Sequence, residues 1–287
     1  MKVGVVPATP AAAIYLGEEK GFFTDAGVDL KTSPAQTGAA VVASLLNGEL
    51  DSGYISSVVA VQAMAKGVPI QFAAGGDSVP TDPSRKMYGG VVVSEDSPVR
   101  APEDLAGRTV AVNALQGVDH LSALVAVDEA GGDSAKVKFV EVPYPEQASA
   151  LRAGRVDAII ASDPFYSKAL KEGGRSVGDP LEALGRGALI SGYVVTKQYA
   201  TKHPDAVERF AAAMSRSSKH ANKHADEVRR TIPAFTEIPE ATVAEMGLPT
   251  FAPKVEVRAV QTVIDLMVTY KFIDKPIDAQ QVVAGAG

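Results

Sequence analysis

Small hydroxyl and amide residues recur where predicted strands end and predicted helices begin. In a parallel α/β sheet these positions meet at one edge. The N-terminus of each following helix carries about half a positive charge and N–H donors without intrahelical partners. Such an edge can bind an anion without Lys or Arg. The candidates of this kind are Thr9, Pro10, Gln36, Thr37, Ser56, Ser57, Asn113, Gln116 and Gly117.

Each Ser or Thr of this set, taken singly, is more often a plain helix cap, because its oxygen accepts from the first turn of the helix. The convergence of several such residues favours a binding edge. Asp163 lies at the same predicted rim and could accept a hydrogen bond from a ligand amine or hydroxyl, with helix capping as the alternative. Four tyrosines beside predicted loops or connecting strands could stack on an organic ligand, or could be ordinary packing: Tyr88, Tyr144, Tyr166 and Tyr193.

The sequence contains no recognisable catalytic set. It has no cysteine, which excludes disulfides, thiolate catalysis and Cys-ligated metals. It also lacks a nucleophile elbow, a phosphate-binding loop with Lys and a dinucleotide fingerprint. His220 and His224 are four residues apart on a predicted helix, a spacing that permits two metal ligands. Lysines flank them, so a solvated face is the favoured interpretation, and we predict no metal and no cofactor.

One sequence motif occurs twice. The stretch from Leu46 to Ser56 returns as Leu151 to Ser162, and Gly48 and Asp51 align with Gly154 and Asp157 at an offset of 106 residues. Flanking strands and helices align at the same offset. This repetition predicts two similar α/β units with a small-molecule cleft between them. The alternative is that strand-turn-helix phrases look alike in any α/β protein.

The order of predicted elements supports an α/β fold with two lobes. Strands at 2–6, 28–32, 50–55 and 68–74 alternate with helices, which favours a parallel sheet. A second such series begins at 109. Strands at 90–94 and 188–196 are predicted to connect the lobes, and a helical tail from 199 to pack back on the first. We therefore expect lobe 1 to comprise residues 1–91 and 193–287, and lobe 2 residues 92–192.

Composition limits the class of protein. The chain has 287 residues, of which 46% are hydrophobic and 22% charged, with a net charge of −6. No basic run is present, which argues against a nucleic-acid partner. No apolar run reaches the length of about 18 residues that a membrane span needs. Strand-like sequence begins at Lys2, so we expect either a cytosolic protein or a mature chain whose export segment has been removed.

Several sequence motifs are similar to those of a known family. They are the helix with Lys20-Gly21-Phe22-Phe23 at its end, Leu46 to Gly53, the Asp104-Leu105-Ala106-Gly107 phrase, Leu151 to Asp157, and Asp163-Pro164-Phe165. In this order they resemble the substrate-binding proteins of ABC importers for sulfonates, taurine and nitrate. The same superfamily includes the thiamine-pyrimidine synthases. The resemblance covers about residues 1–215.

The resemblance implies a two-lobed type II periplasmic-binding-protein fold with two crossing hinge strands, closing on a ligand between the lobes. It implies a monomer, exported to the periplasm or cell surface and lipid-anchored in some members, that delivers its ligand to an ABC permease in the membrane. Helix N-termini favour a sulfonate or carboxylate, and the tyrosines favour an organic, even aromatic, anion. Two other classes stay open: an enzyme of menaquinone or thiamine metabolism on this scaffold, and a cytosolic effector-binding domain.

Overall fold

The computed structural model describes residues 1–85, 87–236 and 238–285. The chain divides into two compact units. Unit 1 comprises Met1–Ser78, Gly187–Glu240 and Pro249–Gly287, and unit 2 comprises Val79–Arg186 and Ala241–Leu248. Unit 2 therefore begins earlier and ends earlier along the chain than the predicted lobe 2, and it takes a short segment from the helical tail.

The strands are short, as expected for buried parallel sheets. They are β1 (Lys2–Val5), β2 (Lys31–Pro34), β3 (Ser52–Ser56), β4 (Ile70–Gly75), β5 (Asp77–Ser78), β6 (Gly89–Ser94), β7 (Thr109–Val112), β8 (Lys138–Glu141), β9 (Ala158–Ser162), β10 (Gly174–Ser176), β11 (Ser191–Thr196) and β12 (Thr250–Phe251).

The α-helices alternate with the strands up to residue 171, with two exceptions, and further helices form the tail. They are α1 (Ala12–Glu19), α2 (Phe22–Asp25), α3 (Gly38–Leu46), α4 (Ser57–Ala65), α5 (Val118–Glu129), α6 (Tyr144–Arg152), α7 (Phe165–Lys171), α8 (Lys197–Lys202), α9 (Pro204–Ala221), α10 (Ala225–Phe235), α11 (Glu240–Val243) and α12 (Val257–Thr269). The exceptions are that α2 directly follows α1 and that, among the residues that the structure describes, no α-helix lies between β4 and β7.

The two main sheets are built on one plan. In unit 1 the strand order is β2-β1-β3-β11-β4, and in unit 2 it is β8-β7-β9-β6-β10. The first strand of each unit pairs in parallel with the second and third, and one antiparallel strand follows the third. Val3 of β1 pairs with Ser52 of β3, and Val110 of β7 pairs with Ala158 of β9. The predicted repetition of an α/β plan is therefore present in the strand topology.

The structure assigns each of the two predicted connecting strands to the sheet of one unit. β6 lies in the sheet of unit 2 and β11 in the sheet of unit 1. Each is the antiparallel member that follows a passage of the chain from one unit into the other. As a result β4 pairs with β11 and not with β3, so the fourth predicted strand does not extend a purely parallel sheet.

Alternating apolar residues place helices on both faces of the unit 2 sheet. Val91, Val110 and Ile160 belong to one buried cluster that includes residues of α5. Val92, Ala111 and Ile159 belong to the other, with residues of α6 and α7. Successive side chains of a strand point to opposite faces of the sheet. The three consecutive valines of β6 therefore contribute to both clusters.

In unit 1 the tail packs on the first helix, as predicted for most of its length. α1 contacts α9 and α10, and Phe23 stacks on Phe210 with ring centroids 5.9 Å apart. On α3, Val41 lies over Gly53 of β3, where a Cβ would come within 2.0 Å of its Cγ1. Only glycine at position 53 lets this helix approach the sheet.

The tail differs from the prediction in two places. Residues 199–230 are mostly helical, as expected, and α9 begins within the predicted helix start at 202–205, but the further break between α9 and α10 was not predicted. Residues 241–248 belong to unit 2 and not to unit 1. No helix within the described residues is long and apolar enough to cross a membrane.

Candidate functional site

The carboxyl ends of β1, β2 and β3 bring the predicted residues of unit 1 to one edge of its sheet. Thr37 caps α3 by accepting from the amide of Ala40 at 3.1 Å, and Ser56 caps α4 by accepting from the amide of Val59 at 3.4 Å. Thr37 and Gln36 are exposed and Ser56 is half-buried. The capping alternative therefore describes Thr37 and Ser56, and these caps set where the two helix N-termini begin.

Thr9 and Ser57 differ from the caps because they are buried without a partner. Thr9 is 2% exposed and Ser57 0% exposed, and among the described residues neither hydroxyl has a hydrogen-bond partner. Both follow strands that are neighbours in the sheet, since Val5 of β1 pairs with Tyr54 of β3. An unsatisfied buried hydroxyl costs free energy, and two of them lie at this one edge of the sheet.

A buried polar cluster lies beside this edge and was not found from the sequence. The hydroxyl of Ser191 contacts the carboxylate of Asp77 and donates to the hydroxyl of Tyr54 at 2.7 Å. Asp77 is fully buried. Burial, together with the charge of Asp77, raises the pKa of Tyr54 well above its ordinary value. No short-range signal marks this cluster, because its members come from three separate strands.

Tyr193 packs against the same cluster. Its ring lies 5.3 Å from that of Tyr54 and 5.6 Å from that of Phe210, and the residue is 1% exposed. These contacts favour the packing alternative for the ring. The hydroxyl of Tyr193 is buried and, among the described residues, has no hydrogen-bond partner.

In unit 2, Asn113, Gln116 and Gly117 form the loop between β7 and α5. The side-chain oxygen of Asn113 accepts from the amide of Tyr144 at 3.3 Å. Gln116 has a φ of 57°, and its amide donates to Nδ1 of His120 at 2.9 Å. Gly117 precedes the first turn of α5. These contacts hold the exposed amide side chains of Asn113 and Gln116 at the carboxyl edge of the sheet.

Two buried carboxyl groups lie behind this loop, and both were missed from the sequence. The hydroxyl of Tyr144 donates to Asp119 at 2.6 Å. Burial raises the pKa of Asp119 to about 6, although the bond from Tyr144 opposes the rise. Burial likewise raises the pKa of Asp179 to about 7, and the charges of Glu182 and Asp119 add to it. Unit 2 therefore carries acidic groups near its edge, whereas unit 1 carries mainly hydroxyls.

Asp163 is fully engaged by the protein. One carboxylate oxygen accepts from the amide and hydroxyl of Ser167 at 3.0 and 2.6 Å, and the other accepts from the amide of Gly247 at 2.6 Å. The capping alternative therefore describes Asp163 better than direct contact with a ligand. The bond to Gly247 also attaches the tail segment 241–248 to unit 2.

The remaining predicted tyrosines are largely inside the protein. Tyr88 is 4% exposed, and its carbonyl accepts from the amide of Asp163 at 2.7 Å. Tyr166 is half-buried, and a Cβ on Gly90 would meet its ring at 2.7 Å. Packing, rather than an open stacking surface, describes Tyr88, while Tyr166 keeps part of its ring accessible.

A groove of 420 Å³ also lies within unit 1. Its lining includes Ser33, Gln36, Ser44 and Glu49. Of the predicted site residues it contains Gln36, so it adjoins the sheet edge through β2 but does not take in Thr9 or Ser57. The candidate site is therefore the set of polar groups at the sheet edges and not this groove.

Comparisons with known proteins were made on the sequence and on the fold. A family model described as NMT1/THI5 like matches residues 8–228. The taurine-binding periplasmic protein of Escherichia coli is 26% identical over 191 residues, covering 66% of this chain and 57% of that protein. A putative aliphatic sulfonates-binding protein of the same organism is 24% identical over 253 residues, covering 85% of this chain and 76% of that protein.

Solved structures show the same fold over nearly the whole chain. The periplasmic aliphatic sulphonate binding protein SsuA from Escherichia coli has a TM-score of 0.79 at 20% identity, covering 99% of this chain and 91% of that chain. The desulfurization enzyme DSZB has a TM-score of 0.70 at 16% identity, covering 99% and 96%. The predicted two-lobed periplasmic-binding-protein fold is confirmed, and this fold occurs in both a binding protein and an enzyme.

Proposed function

The chain belongs to the NMT1/THI5-like family, and on that premise we propose that it is the solute-binding component of an ABC importer for small organic sulfonates. Its location would be the periplasm, and its macromolecular partner a membrane permease. Two relatives named for taurine and aliphatic sulfonates support the ligand class. The aligned part covers little more than half of the taurine-binding protein, so that protein's cargo is carried over here as a proposal.

One observation carries the proposal: the unpaired, buried hydroxyls of Thr9 and Ser57 at the carboxyl edge of unit 1. A sulfonate offers three acceptor oxygens and keeps its charge at all ordinary pH values. Hydroxyl and helix N-terminal N–H donors can match those oxygens without a cationic side chain. Gln36, Thr37, Ser56 and Pro10 at the same edge are proposed as further contacts, as are Asn113, Gln116 and Gly117 in unit 2.

The acidic groups of unit 2 refine the ligand class. Asp119 and Asp179 are buried near the edge that holds Asn113. A ligand ammonium group would favour their ionised forms, because an opposite charge lowers the pKa of a carboxyl group. An aminosulfonate is therefore included among the ligands to be tested.

A calorimetric titration of the full chain tests the proposal. The panel comprises taurine, ethanesulfonate, propanesulfonate, nitrate, benzoate and a pyrimidine precursor of thiamine. Saturable binding of the sulfonates is the expected result. If only benzoate or nitrate bound, the ligand would be a different anion and not a sulfonate. If only the pyrimidine bound, a role in thiamine metabolism would be favoured.

The fold shared with DSZB makes an enzyme the second candidate. Prolonged incubation of the protein with each bound sulfonate, followed by mass spectrometry of the small molecule, separates the two. A binding component returns the ligand unchanged, whereas an enzyme releases sulfite or another product.

A further inference from the structure

We propose that His220, His224 and Glu227 form a binding site for a divalent transition-metal ion such as Zn²⁺, separate from the sheet-edge site. Each residue offers one ligand atom, and these atoms lie within 4.8 Å of one another. Ligand atoms around a tetrahedral zinc ion are about 3.3 Å apart, given metal–ligand bonds of about 2.0–2.1 Å. The rings of His220 and His224 are stacked and nearly parallel, so they must turn until their in-plane lone pairs converge on the ion. His224 is exposed and the other two side chains are partly accessible, which leaves room for this rotation.

The break in the helical tail creates this arrangement. α9 ends at Ala221 and α10 begins at Ala225, so His220 lies in the last turn of one helix and His224 directly precedes the next. The amide of Glu227 then donates to the carbonyl of His224 at 3.0 Å. This turn brings the carboxylate of Glu227 next to His220, which lies seven residues earlier in the chain. The sequence spacing alone showed two ligands, and the fold supplies the third.

The hydrogen bonds of the two histidines place their protons differently with respect to a metal ion. Nδ1 of His224 lies 2.8 Å from the carbonyl oxygen of His220. A carbonyl can only accept, so Nδ1 carries the proton and Nε2 keeps its lone pair for a metal. Nε2 of His220 lies 2.9 Å from a carboxylate oxygen of Glu227. Because a carboxylate can only accept, this nitrogen carries a proton in the metal-free protein, and a metal ion would displace that proton when it binds.

The surroundings hold the ligands in place. Asn222, between the two helices, donates to the carbonyl of Phe251 at 2.7 Å and accepts from its amide at 3.0 Å. The ring of Phe22 meets that of His220 edge-on at 5.5 Å. The rings of His220 and His224 stack at 3.8 Å. The site is therefore anchored to unit 1 from several directions.

Lys20 is the competing cation in the metal-free protein. Its ammonium group lies 2.6 Å from the Glu227 oxygen that also contacts His220. The Lys20 side chain is 34% exposed, so it can turn to solvent when a doubly charged ion takes that oxygen. The remaining coordination positions would be filled by water, since His224 is exposed and three protein ligands leave an open position.

The site lies away from the proposed sulfonate contacts along the fold. α1 begins at the carboxyl edge of β1 and ends at Glu19, next to Lys20. The metal ligands surround the far end of that helix. Metal binding and sulfonate binding can therefore be measured independently.

The test is a titration of tag-free, chelator-treated full chain with ZnCl₂, followed by calorimetry. We expect one saturable equivalent, and a loss of affinity of at least about tenfold in His224→Ala and in Glu227→Gln. His203→Ala changes an exposed histidine outside the cluster and should leave binding unchanged. Lys20→Met removes the competing ammonium and should bind Zn²⁺ at least as tightly as the natural chain.

A second readout separates a built site from loose surface binding. Co²⁺ in a low-coordinate site with imidazole ligands absorbs visible light strongly, whereas hydrated Co²⁺ does not. The band should appear in the natural chain and in His203→Ala and be lost in His224→Ala. Absence of saturable binding, or equal affinity in all four variants, would overturn the proposal. Circular dichroism of each variant confirms that it is folded.

Discussion

Asp51 and Asp157 make the same hydrogen bond in the two units. The carboxylate of Asp51 accepts from the amide of Lys2 at 2.7 Å, and that of Asp157 accepts from the amide of Thr109 at 2.7 Å. In return, their own amides donate to the carbonyls of Lys2 and Thr109 at 2.9 and 2.8 Å. Each aspartate thus joins the start of the third strand of its unit to the start of the first.

Replacing either aspartate should destabilise its unit. Asp51→Ala and Asp157→Ala each remove a charged acceptor from a strand amide, and we expect a loss of about 1–3 kcal/mol in the free energy of unfolding. Urea denaturation followed by circular dichroism measures it. Asp274→Ala, at an exposed position, is the matched control and should change stability by less than about 0.5 kcal/mol. Equal effects at all three positions would show that the repeated bond has no special role.

Removing the unpaired hydroxyls should weaken binding without weakening the fold. Thr9→Val and Ser57→Ala each delete one proposed donor, so sulfonate affinity should fall roughly 5–30-fold, equivalent to about 1–2 kcal/mol. Stability should stay the same or rise by up to about 1 kcal/mol, because a buried polar atom without a partner is removed. Calorimetry and thermal unfolding provide the two readouts.

Ser52→Ala is the control for that pair. Ser52 is also fully buried, but its hydroxyl donates to the carbonyl of Val194 at 3.0 Å. Its removal should cost about 1 kcal/mol of stability and leave sulfonate affinity unchanged. If Ser52→Ala weakened binding as much as Ser57→Ala, the unpaired hydroxyl would not be the property that matters.

The buried cluster of unit 1 should behave as a coupled network. Ser191→Ala removes a hydroxyl that contacts both Asp77 and Tyr54, and we expect a loss of about 1–3 kcal/mol in stability. Tyr54→Phe removes another member of the cluster. The double variant should lose less than the sum of the two single losses, as expected for residues that share partners. Strictly additive losses, measured by urea denaturation, would rule out the coupling.

Asp179 should make stability depend on pH in a defined direction. Its pKa of about 7 lies above the ordinary value of 3.8, so the folded state holds more protons than the unfolded state between about pH 4 and 7. Stability therefore falls as pH rises through that range. Asp119, with a pKa of about 6, contributes in the same direction.

The variant Asp179→Asn isolates this effect. It keeps an acceptor for the amide of Leu181, which Asp179 binds at 2.9 Å, and it cannot ionise. Compared with the natural chain, it should lose roughly 1–2 kcal/mol less stability between pH 5 and 8. Urea denaturation at both pH values measures the difference. Parallel curves for the two proteins would place the titration of this carboxyl outside the folding equilibrium.

Much of the architecture could be predicted from the chain itself. Short apolar runs, with turn residues between them and glycine at helix ends, located the strands and helices, because these signals act over a few residues. Gly48 and Gly154 have φ values of 73° and 65°, a conformation that glycine adopts without steric cost. The repeated phrase predicted the two similar sheets for the same local reason. Thr37 and Ser56 were found as polar residues at helix starts, which is also a local property.

Tertiary structure decided what depends on contacts between distant segments. The place of β11 between β3 and β4, the attachment of 241–248 to unit 2 through Asp163, and the approach of Glu227 to His220 leave no periodic trace in the sequence. Burial decided the rest: it placed Asp77, Asp119 and Asp179 inside, and it separated the paired hydroxyl of Ser52 from the unpaired one of Ser57. Local sequence patterns specify the helices and strands. Burial and long-range hydrogen bonding exist only once the chain is packed. They set the pKa values and decide which hydrogen-bond donors have no partner.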